Sequence, residues 1–435
     1  MTPFKPLLKE GVFLFLSGVL KFDIVHIMSE KTFYDVIVVG AGASGQMCAL
    51  MCARRGFKTL LVEKGVQPGR KILVSGNGRC NLTNAFVCEK DYGGDIAIVR
   101  EALKRFPFQT CLDFFHSLGV LTVQEGLGRV FPRSGKSTAV AEALRLACAE
   151  AGVELRTGCE VVKIERKKHF TLTCASGEKE EARLCVLACG SAAYPQAGGS
   201  DAGYKLARSL GHHIIPPTSA LCALNVREKA VARLQGIRAQ VRASIFAGTE
   251  REFSNDGEVL FTAYGLSGPA ILNLSGRVVR ALPEGPVEIA LDFFPEIQDK
   301  EAFLKQRAVQ MPQRKAKEFF AGMLHENIAN LLIDFAGIRK NAPVSEWTEN
   351  TFRTAAKTLG AWPFTVISAR PWSEAMAAAG GVKCAEINYN TFESKRCPGL
   401  YVLGELLDVD GRSGGFNLHF AWASGYAAAA AMPEE

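Results

Sequence analysis

The stretch that most constrains this chain runs from Tyr34 to Glu63. Tyr34-Asp35-Val36-Ile37-Val38-Val39 is a short β-branched run of the kind that forms a buried parallel strand. It leads directly into Gly40-Ala41-Gly42-Ala43-Ser44-Gly45, a complete G-x-G-x-x-G. An apolar segment from Gln46 to Arg55 follows at helical spacing, Gly56 ends it, and Thr59-Leu60-Leu61-Val62 reads as a second strand. Glu63 closes that strand 18 residues after Gly45. Each part has a physical task. Gly40 permits the tight turn, Gly42 admits a pyrophosphate close to the backbone, and Gly45 lets the helix pack on the strand. The helix start, including Ala43 and Ser44, offers free N–H groups and a positive dipole end to phosphate. Glu63 can accept hydrogen bonds from both ribose hydroxyls. The five parts in register point to a dinucleotide site, and the acid favours an unphosphorylated ribose, as in FAD or NAD rather than NADP.

At 435 residues the chain exceeds what one hydrophobic core usually organises, so two or three domains are expected. Hydrophobic residues make up 48% and charged residues 22%, an ordinary balance for a globular protein with a large core. The net charge of +7 is mild for this length; it permits an anionic ligand without calling for one. Several of the 13 cysteines (Cys48, Cys52, Cys148, Cys185, Cys189) sit in apolar patterns, where a thiol acts as a small hydrophobe. No C-x-x-C or Cys/His spacing suits zinc. The expectation is a cytoplasmic, reduced protein without metal or structural disulfides. In residues 1–27, Lys5 and Lys9 precede the apolar run Gly11–Leu20, which is too short to span a bilayer and lacks a cleavage signature. Met28-Ser29-Glu30-Lys31 looks like a natural start, so residues 1–32 are set aside as an extension and no membrane attachment is expected.

Gly65 to Asn84 is rich in glycine and asparagine and reads as a long loop able to reach back over the dinucleotide. Lys64, Arg70 and Lys71 can offset pyrophosphate charge, while Ser75, Gly76 and Asn77 supply close backbone N–H groups. Ile96 to Leu118 has helical spacing. Gly128 to Ser137 resembles a phosphate loop only superficially, because Val130 stands where a glycine is needed before Gly135-Lys136-Ser137. Val162 lies in a further strand, and the strand Arg183–Ala188 ends at Cys189-Gly190. From Pro216 to about Phe294 short alternating runs suggest an antiparallel β domain. Pro295 to about Gly360 is charged and helical, and glycine-rich α/β pattern resumes at Gly380-Gly381-Val382. Near the end, the strand Leu400–Leu403 meets Gly404-Glu405, and Gly414-Gly415-Phe416-Asn417-Leu418 opens an Ala-rich helix. Glu405 suits ribityl hydroxyls. The N–H groups of Phe416 to Leu418 suit the pyrimidine edge of a flavin, where the helix dipole would favour negative charge.

Gly69-Arg70-Lys71 through Ser75-Gly76-Asn77-Gly78-Arg79-Cys80-Asn81-Leu82-Thr83-Asn84 resembles the bacterial NAD(P)/FAD-dependent flavoproteins known as the aminoacetone oxidase family of FAD-binding enzymes. Gly128–Pro132, Leu260-Phe261-Thr262 with Gly265–Pro269, and Gly404-Glu405 through Asn417 extend the likeness to essentially all of the chain after Phe33. The resemblance implies an α/β fold with a two-dinucleotide-binding-type, Rossmann-like FAD domain in segments 33–215 and 380–435. It also implies an inserted β-barrel-like domain (216–294 and 361–379) and a small helical insertion (295–360). Two departures stand at positions expected to border a substrate: Ala263 replaces the family's histidine, and Ala378-Ala379 replace its threonine position. The family includes a reductase of conjugated double bonds in 3-oxo bile acids.

The expected function is a flavin oxidoreductase with non-covalent FAD, delivering hydride to an electron-poor, enone-type carbon of a small hydrophobic substrate. With no second G-x-G-x-x-G, NADH or NADPH would bind only transiently. Arg79, Asn81, Tyr194 and His419 are the candidate polar residues near the ring. Two alternatives remain open. One is an amine oxidase, which the family label suggests. The other is a tRNA-binding or tRNA-modifying flavoprotein, for which the basic run Arg227, Lys229, Arg233, Arg238 and Arg242 is the only sequence support. That run lacks interleaved aromatics, so a small-molecule partner is expected rather than nucleic acid.

Overall fold

In the computed structural model, which describes residues 32–247 and 250–434, the opening motif folds as its residues require. Strand β1 (Phe33–Val39) turns at Gly40–Gly42 into α1 (Ala43–Arg54), and β2 (Thr59–Val62) follows. Val36, Ile37 and Val38 are wholly buried, as expected of a strand covered on both faces. The extension proposed for residues 1–27 lies outside the described residues.

The chain then forms α2 (Arg70–Gly78), β3 (Thr83–Asn84), β4 (Tyr92–Gly94), α3 (Ile96–Arg105) and α4 (Phe108–Ser117). Next come β5 (Thr122–Gln124), β6 (Arg129–Pro132), α5 (Ser137–Glu150) and β7 (Glu154–Arg156). A meander, β8 (Val161–Arg166), β9 (Phe170–Cys174) and β10 (Lys179–Leu187), is followed by α6 (Ala202–Ser209).

Three expectations need correction here. The segment read as one loop contains α2, seeded by Arg70–Val74 burying Ile72 and broken at Ser75–Asn77, where Gly76 and Asn77 both have φ +56°. The helix read from Ile96 to Leu118 is two, because Pro107 cannot donate to the preceding turn and instead caps α4. Asp95 caps α3, accepting from the N–H groups of Ala97 and Ile98. Finally, structural disulfides were not expected, yet Cys159 and Cys174 are joined, with Cα atoms 6.0 Å apart. Their places on facing ends of the β8–β9 pair bring together two cysteines 15 residues apart in sequence.

Beyond α6, β11 (Ile214–Ala220) leads to β12 (Leu224–Val226), β13 (Arg238–Ala247), β14 (Glu250–Phe261), β15 (Gly265–Ser267), α7 (Pro269–Ala281) and β16 (Val287–Asp292). Helices α8 (Lys300–Gln310), α9 (Ala316–Phe319), α10 (Glu326–Phe335) and α11 (Glu349–Gly360) precede β17 (Trp362–Ala369). β18 (Ala377–Val382), β19 (Leu400–Val402), β20 (Val409–Gly411) and α12 (Phe416–Ala431) complete the chain.

Strands β7-β2-β1-β10-β19 form a parallel sheet, so the late strand β19 inserts beside β10 and joins both ends of the described chain in one nucleotide-binding fold. Strands β9 and β8 continue from the first half of β10 as an antiparallel ribbon. The middle of the chain closes a six-stranded barrel in the order β12-β15-β14-β13-β16-β17. Its core is shared with Leu304, Phe319, Ile328 and Phe352 from the helical stretch. Strands β11 and β18, at the seams of the insertion, pair with each other and stand outside the barrel. Among the described residues no helix is long and apolar enough to cross a membrane.

Candidate functional site

At the carboxyl end of β1 the glycines behave differently from one another. A Cβ on Gly45 would lie 1.9 Å from the Gly40 carbonyl oxygen, so the start of α1 is pressed onto the turn. Gly40 has φ +103° and is itself packed on the Ala188 carbonyl. Gly42 has nothing within 4 Å of that position, which leaves a face of backbone open to a ligand. The first turn of α1 carries no acidic side chain, so its N–H groups keep their attraction for phosphate. Glu63 is fixed at the tip of β2, its two oxygens accepting from the Ala41 N–H (2.9 Å) and the Gly65 N–H (2.8 Å). Each oxygen keeps a lone pair for a ribose hydroxyl.

The cationic residues expected along the pyrophosphate hold loops together. Arg70 donates to the Gln196 carbonyl at 2.6 Å, and Lys64 donates to the Ser200 hydroxyl at 2.7 Å. Lys71 pairs with Glu405 at 2.5 Å, tying the early basic segment to the late acidic one. The other Glu405 oxygen accepts from the Ala378 N–H at 3.2 Å, so the carboxylate expected at ribityl hydroxyls already has two protein partners. Ser75 turns its hydroxyl to the Ile72 carbonyl. Gly190 is open on its Cβ side, whereas Val162 projects from the ribbon with 55% exposure.

The front and rear glycine segments meet. A Cβ on Gly404 would lie 2.7 Å from Ser44 Oγ, and the Gly404 N–H donates to Ser424 on α12 at 3.1 Å. Gly425 lets α12 approach the Ser44 carbonyl of α1 so closely that a Cβ would stand 2.5 Å away. At the start of α12, Gly415 has φ +103° and leaves no room for a side chain, its Cβ site being 2.5 Å from the Thr83 carbonyl oxygen. Asn417 braces the preceding loop, accepting from the Gly411 N–H and donating to the Gly411 carbonyl, both at 2.8 Å. Phe416 is buried and its carbonyl accepts from Tyr92. Leu418 packs partly against the core.

The four candidate polar residues fall into different environments. Asn81 is 9% exposed, and its Oδ1 is buried without a hydrogen-bond partner. That oxygen lies 3.0 Å from where a Gly415 Cβ would be, an acceptor directed at the rear glycine segment. Arg79 is held by Glu125 through both terminal nitrogens and stacks over Phe131 at 4.1 Å, which makes it a brace. Tyr194 stands beyond the end of β10 with φ +56°, its N–H held by the Trp372 carbonyl at 3.0 Å.

His419 does not reach the site. It is wholly buried in α12, with Nδ1 2.7 Å from Thr83 Oγ1 and Nε2 2.9 Å from the Phe106 carbonyl. A carbonyl only accepts, so Nε2 carries the proton and Nδ1 accepts from threonine, leaving neither nitrogen for substrate. Burial pulls its pKa down to about 4 despite the Phe106 bond. The unfolded ring titrates near 6.5, so its stabilising contribution is complete above that pH and fades as pH falls toward 4. Replacing it by leucine strands two buried polar groups and is expected to cost about 2 kcal/mol at pH 7. The cost should shrink at pH 5, as urea unfolding at the two pH values will show.

Sequence reading missed Asn84, whose Nδ2 donates to the carbonyls of Leu127 (3.1 Å) and Gly414 (2.9 Å) and so bridges two loops beside α12. It also missed Arg280, Asp408 and Asp410, which form a buried ionic cluster behind the rear loop. Burial pushes the Asp410 carboxyl up, against the pull of Arg280.

Together the open face at Gly42, the oriented Glu63, the crowded Gly415 and the unpartnered Asn81 oxygen fit an extended dinucleotide carrying a flavin. The HI0933-like protein Rossmann domain family matches residues 34–431. The 3-dehydro-bile acid delta(4,6)-reductase of Clostridium scindens is 34% identical over 409 residues, covering 91% of this chain and 98% of that relative. The ribosomal RNA dihydrouridine synthase of Escherichia coli is 29% identical, covering 91% of this chain and 97% of its own. Its Haemophilus influenzae counterpart is 30% identical, with 92% and 98% covered. The chain therefore belongs to the HI0933-like family of Rossmann-fold, FAD-dependent oxidoreductases.

Proposed function

We propose that this oxidoreductase saturates a carbon–carbon double bond conjugated to a carbonyl in a small apolar substrate, with NADH or NADPH as a transient electron source. The observation that carries the reading is the pair of names borne by its full-length relatives. A bile-acid double-bond reductase and a dihydrouridine synthase differ in substrate, yet each adds hydrogen across a C=C next to a carbonyl. Bound FAD supplies the hydride. The chain's residues supply the rest. The first turn of α12 contains no acid, and its N–H groups favour negative charge at the edge they face. Tyr194 is our candidate proton donor to the carbon next to the carbonyl. Arg79 is committed to Glu125 and His419 to Thr83 and Phe106, while among the described residues no side chain holds the Tyr194 hydroxyl. Its loop lies past the carboxyl ends of the parallel strands, where open α/β sheets bind ligands.

Reduction of a uridine in RNA is the second reading, supported by the two synthase relatives. Against it, three members of the basic run are neutralised: Arg233 by Asp334, Arg238 by Glu258 and Arg242 by Asp256. We therefore infer a small-molecule partner. The amine-oxidase reading has no feature of this site in its favour.

Anaerobic holoprotein reduced with NADH or NADPH should be reoxidised by cyclic enones and not by unmodified ribosomal RNA. Tyr194→Phe should slow that reoxidation about 100-fold, within the range of general-acid contributions, while leaving the reductive half-reaction unchanged. Reoxidation by RNA alone selects the second reading, and peroxide release with an amine under air selects the third. Acid precipitation should free the flavin into the supernatant.

A further inference from the structure

The rear loop that precedes α12 is gripped from the barrel side by one face of α7. Asn273, Gly276 and Arg280 are spaced by three and four residues, so they share a helix face. Asn273 Oδ1 accepts from the Ser413 N–H (2.8 Å) and hydroxyl (2.7 Å). Arg280 forks between two carboxylates, with Nη1 2.6 Å from Asp408 and Nη2 on Asp410. Asp408 also accepts from the Gly380 N–H at 3.0 Å. A Cβ on Gly276 would lie 2.1 Å from Asp410 Oδ2, and one on Gly93 would lie 2.9 Å from Oδ1, so the carboxylate fills a slot that only glycines leave open. The grip passes onward: Asp410 is followed by Gly411, which Asn417 clasps to the first turn of α12.

The geometry points to Arg280, with Gly276 and Asn273, as a positioning ridge through which the barrel sets where the flavin ring sits against the start of α12. The inference rests on placing that ring at Gly414–Leu418. Simple domain adhesion would not need a forked guanidinium on two carboxylates two residues apart, one just before β20 and one within it, nor a helix glycine shaped to the second. A planar fork fixes direction as well as distance, and lysine cannot reproduce it.

The test uses full-length holoprotein, following FAD release on dilution by the rise of free-flavin fluorescence, alongside the shape of the visible flavin band and thermal melting. R280M and G276A are expected to release FAD about tenfold faster and to alter the band. R280K should fall between them and wild type. E386Q, whose carboxylate is held by His212, His213 and Arg396 rather than by the α7 ridge, should lower the melting temperature without changing either flavin signal. N417A, which loosens the same loop from the α12 side, should weaken FAD retention by itself. If N417A speeds release while R280M, R280K and G276A keep wild-type release and band shape, the inference falls and the ring placement stands. If N417A is also silent, both fall. Flavin loss in the α7 variants that merely tracks their melting, with E386Q losing flavin in the same proportion, also overturns the positioning role.

Discussion

Gly45→Ala is expected to purify colourless and to melt early. The added methyl would stand 1.9 Å from the Gly40 carbonyl oxygen and 3.2 Å from the Ala188 Cβ. Both obstacles are hard to move. The first is backbone, and Gly40 cannot retreat because its own α-carbon already faces the Ala188 carbonyl, 2.5 Å from the place of a Cβ. Helix α1 must therefore lift from β1 and β10, which displaces the N–H groups that would receive the phosphates of a bound dinucleotide. Overpacking in a dry core costs about 1–3 kcal/mol, and more where backbone must shift. Gly42→Ala is the informative partner. With nothing within 4 Å, its methyl meets no protein atom, so the flavin-free variant should melt like flavin-free wild type yet hold FAD weakly. The ratio of visible to ultraviolet absorbance and a thermal melt separate the two. A yellow, stable Gly45→Ala protein would show that the turn does not set the cofactor's place.

Removal of Glu386 should destabilise the fold measurably and change its response to acid. The carboxylate is buried between the start of β11 and the loop before β19. One oxygen receives His212 Nδ1 (3.1 Å) and the His213 N–H (3.0 Å); the other receives His213 Nδ1 (2.5 Å) and Arg396 (2.7 Å). His212 then accepts from Ser394 at 2.8 Å. Glu386→Ala leaves the buried His212 Nδ1 without its acceptor, while the exposed His213 and Arg396 side chains turn to water, a loss of about 1–3 kcal/mol. Burial alone would raise the pKa, but the bonds from His213, Arg396 and His212 prevail and hold it at about 2, below the ordinary 4.5. A depressed carboxyl stabilises the fold above its unfolded pKa and loses that effect as pH falls through the folded one. Because His213 and Arg396 reach solvent, screening leaves about 1–2 kcal/mol of that stabilisation. Wild-type stability should therefore drop between pH 4.5 and 2, where Glu386→Gln shows a flatter curve. Parallel acid titrations of the two proteins would contradict this account.

What could be read from the sequence followed the range of the forces involved. The front motif was legible because Gly40, Gly42, Gly45 and Glu63 act through backbone sterics and capping over thirty residues. The rear helix was legible from Gly414-Gly415 for the same reason, and alternation in Gln240–Phe246 and Val287–Phe293 revealed the barrel strands. Composition misled at Arg70–Gly78, where glycine and asparagine obscured a helical turn fixed by burial of Ile72. His419 read as a polar group near glycines; only the packing shows Thr83 and Phe106 occupying both ring nitrogens. Arg280 gave no local signal because its partners lie 128 and 130 residues downstream. The Cys159–Cys174 link likewise depends on strand register.

The antiparallel pairing of β11 with β18, from Ile214 opposite Val382 to Ala220 opposite Ala377, means that the polypeptide leaves the nucleotide fold and returns to it through a single doorway. The connection between those two strands can lengthen or shorten during descent without re-threading the parallel sheet, so long as α7 keeps its hold on Asp408, Asp410 and Ser413. It also orders events on the ribosome: the final parallel strand and the helix after it emerge last, so the coenzyme's pocket can close only once the intervening barrel has already been made.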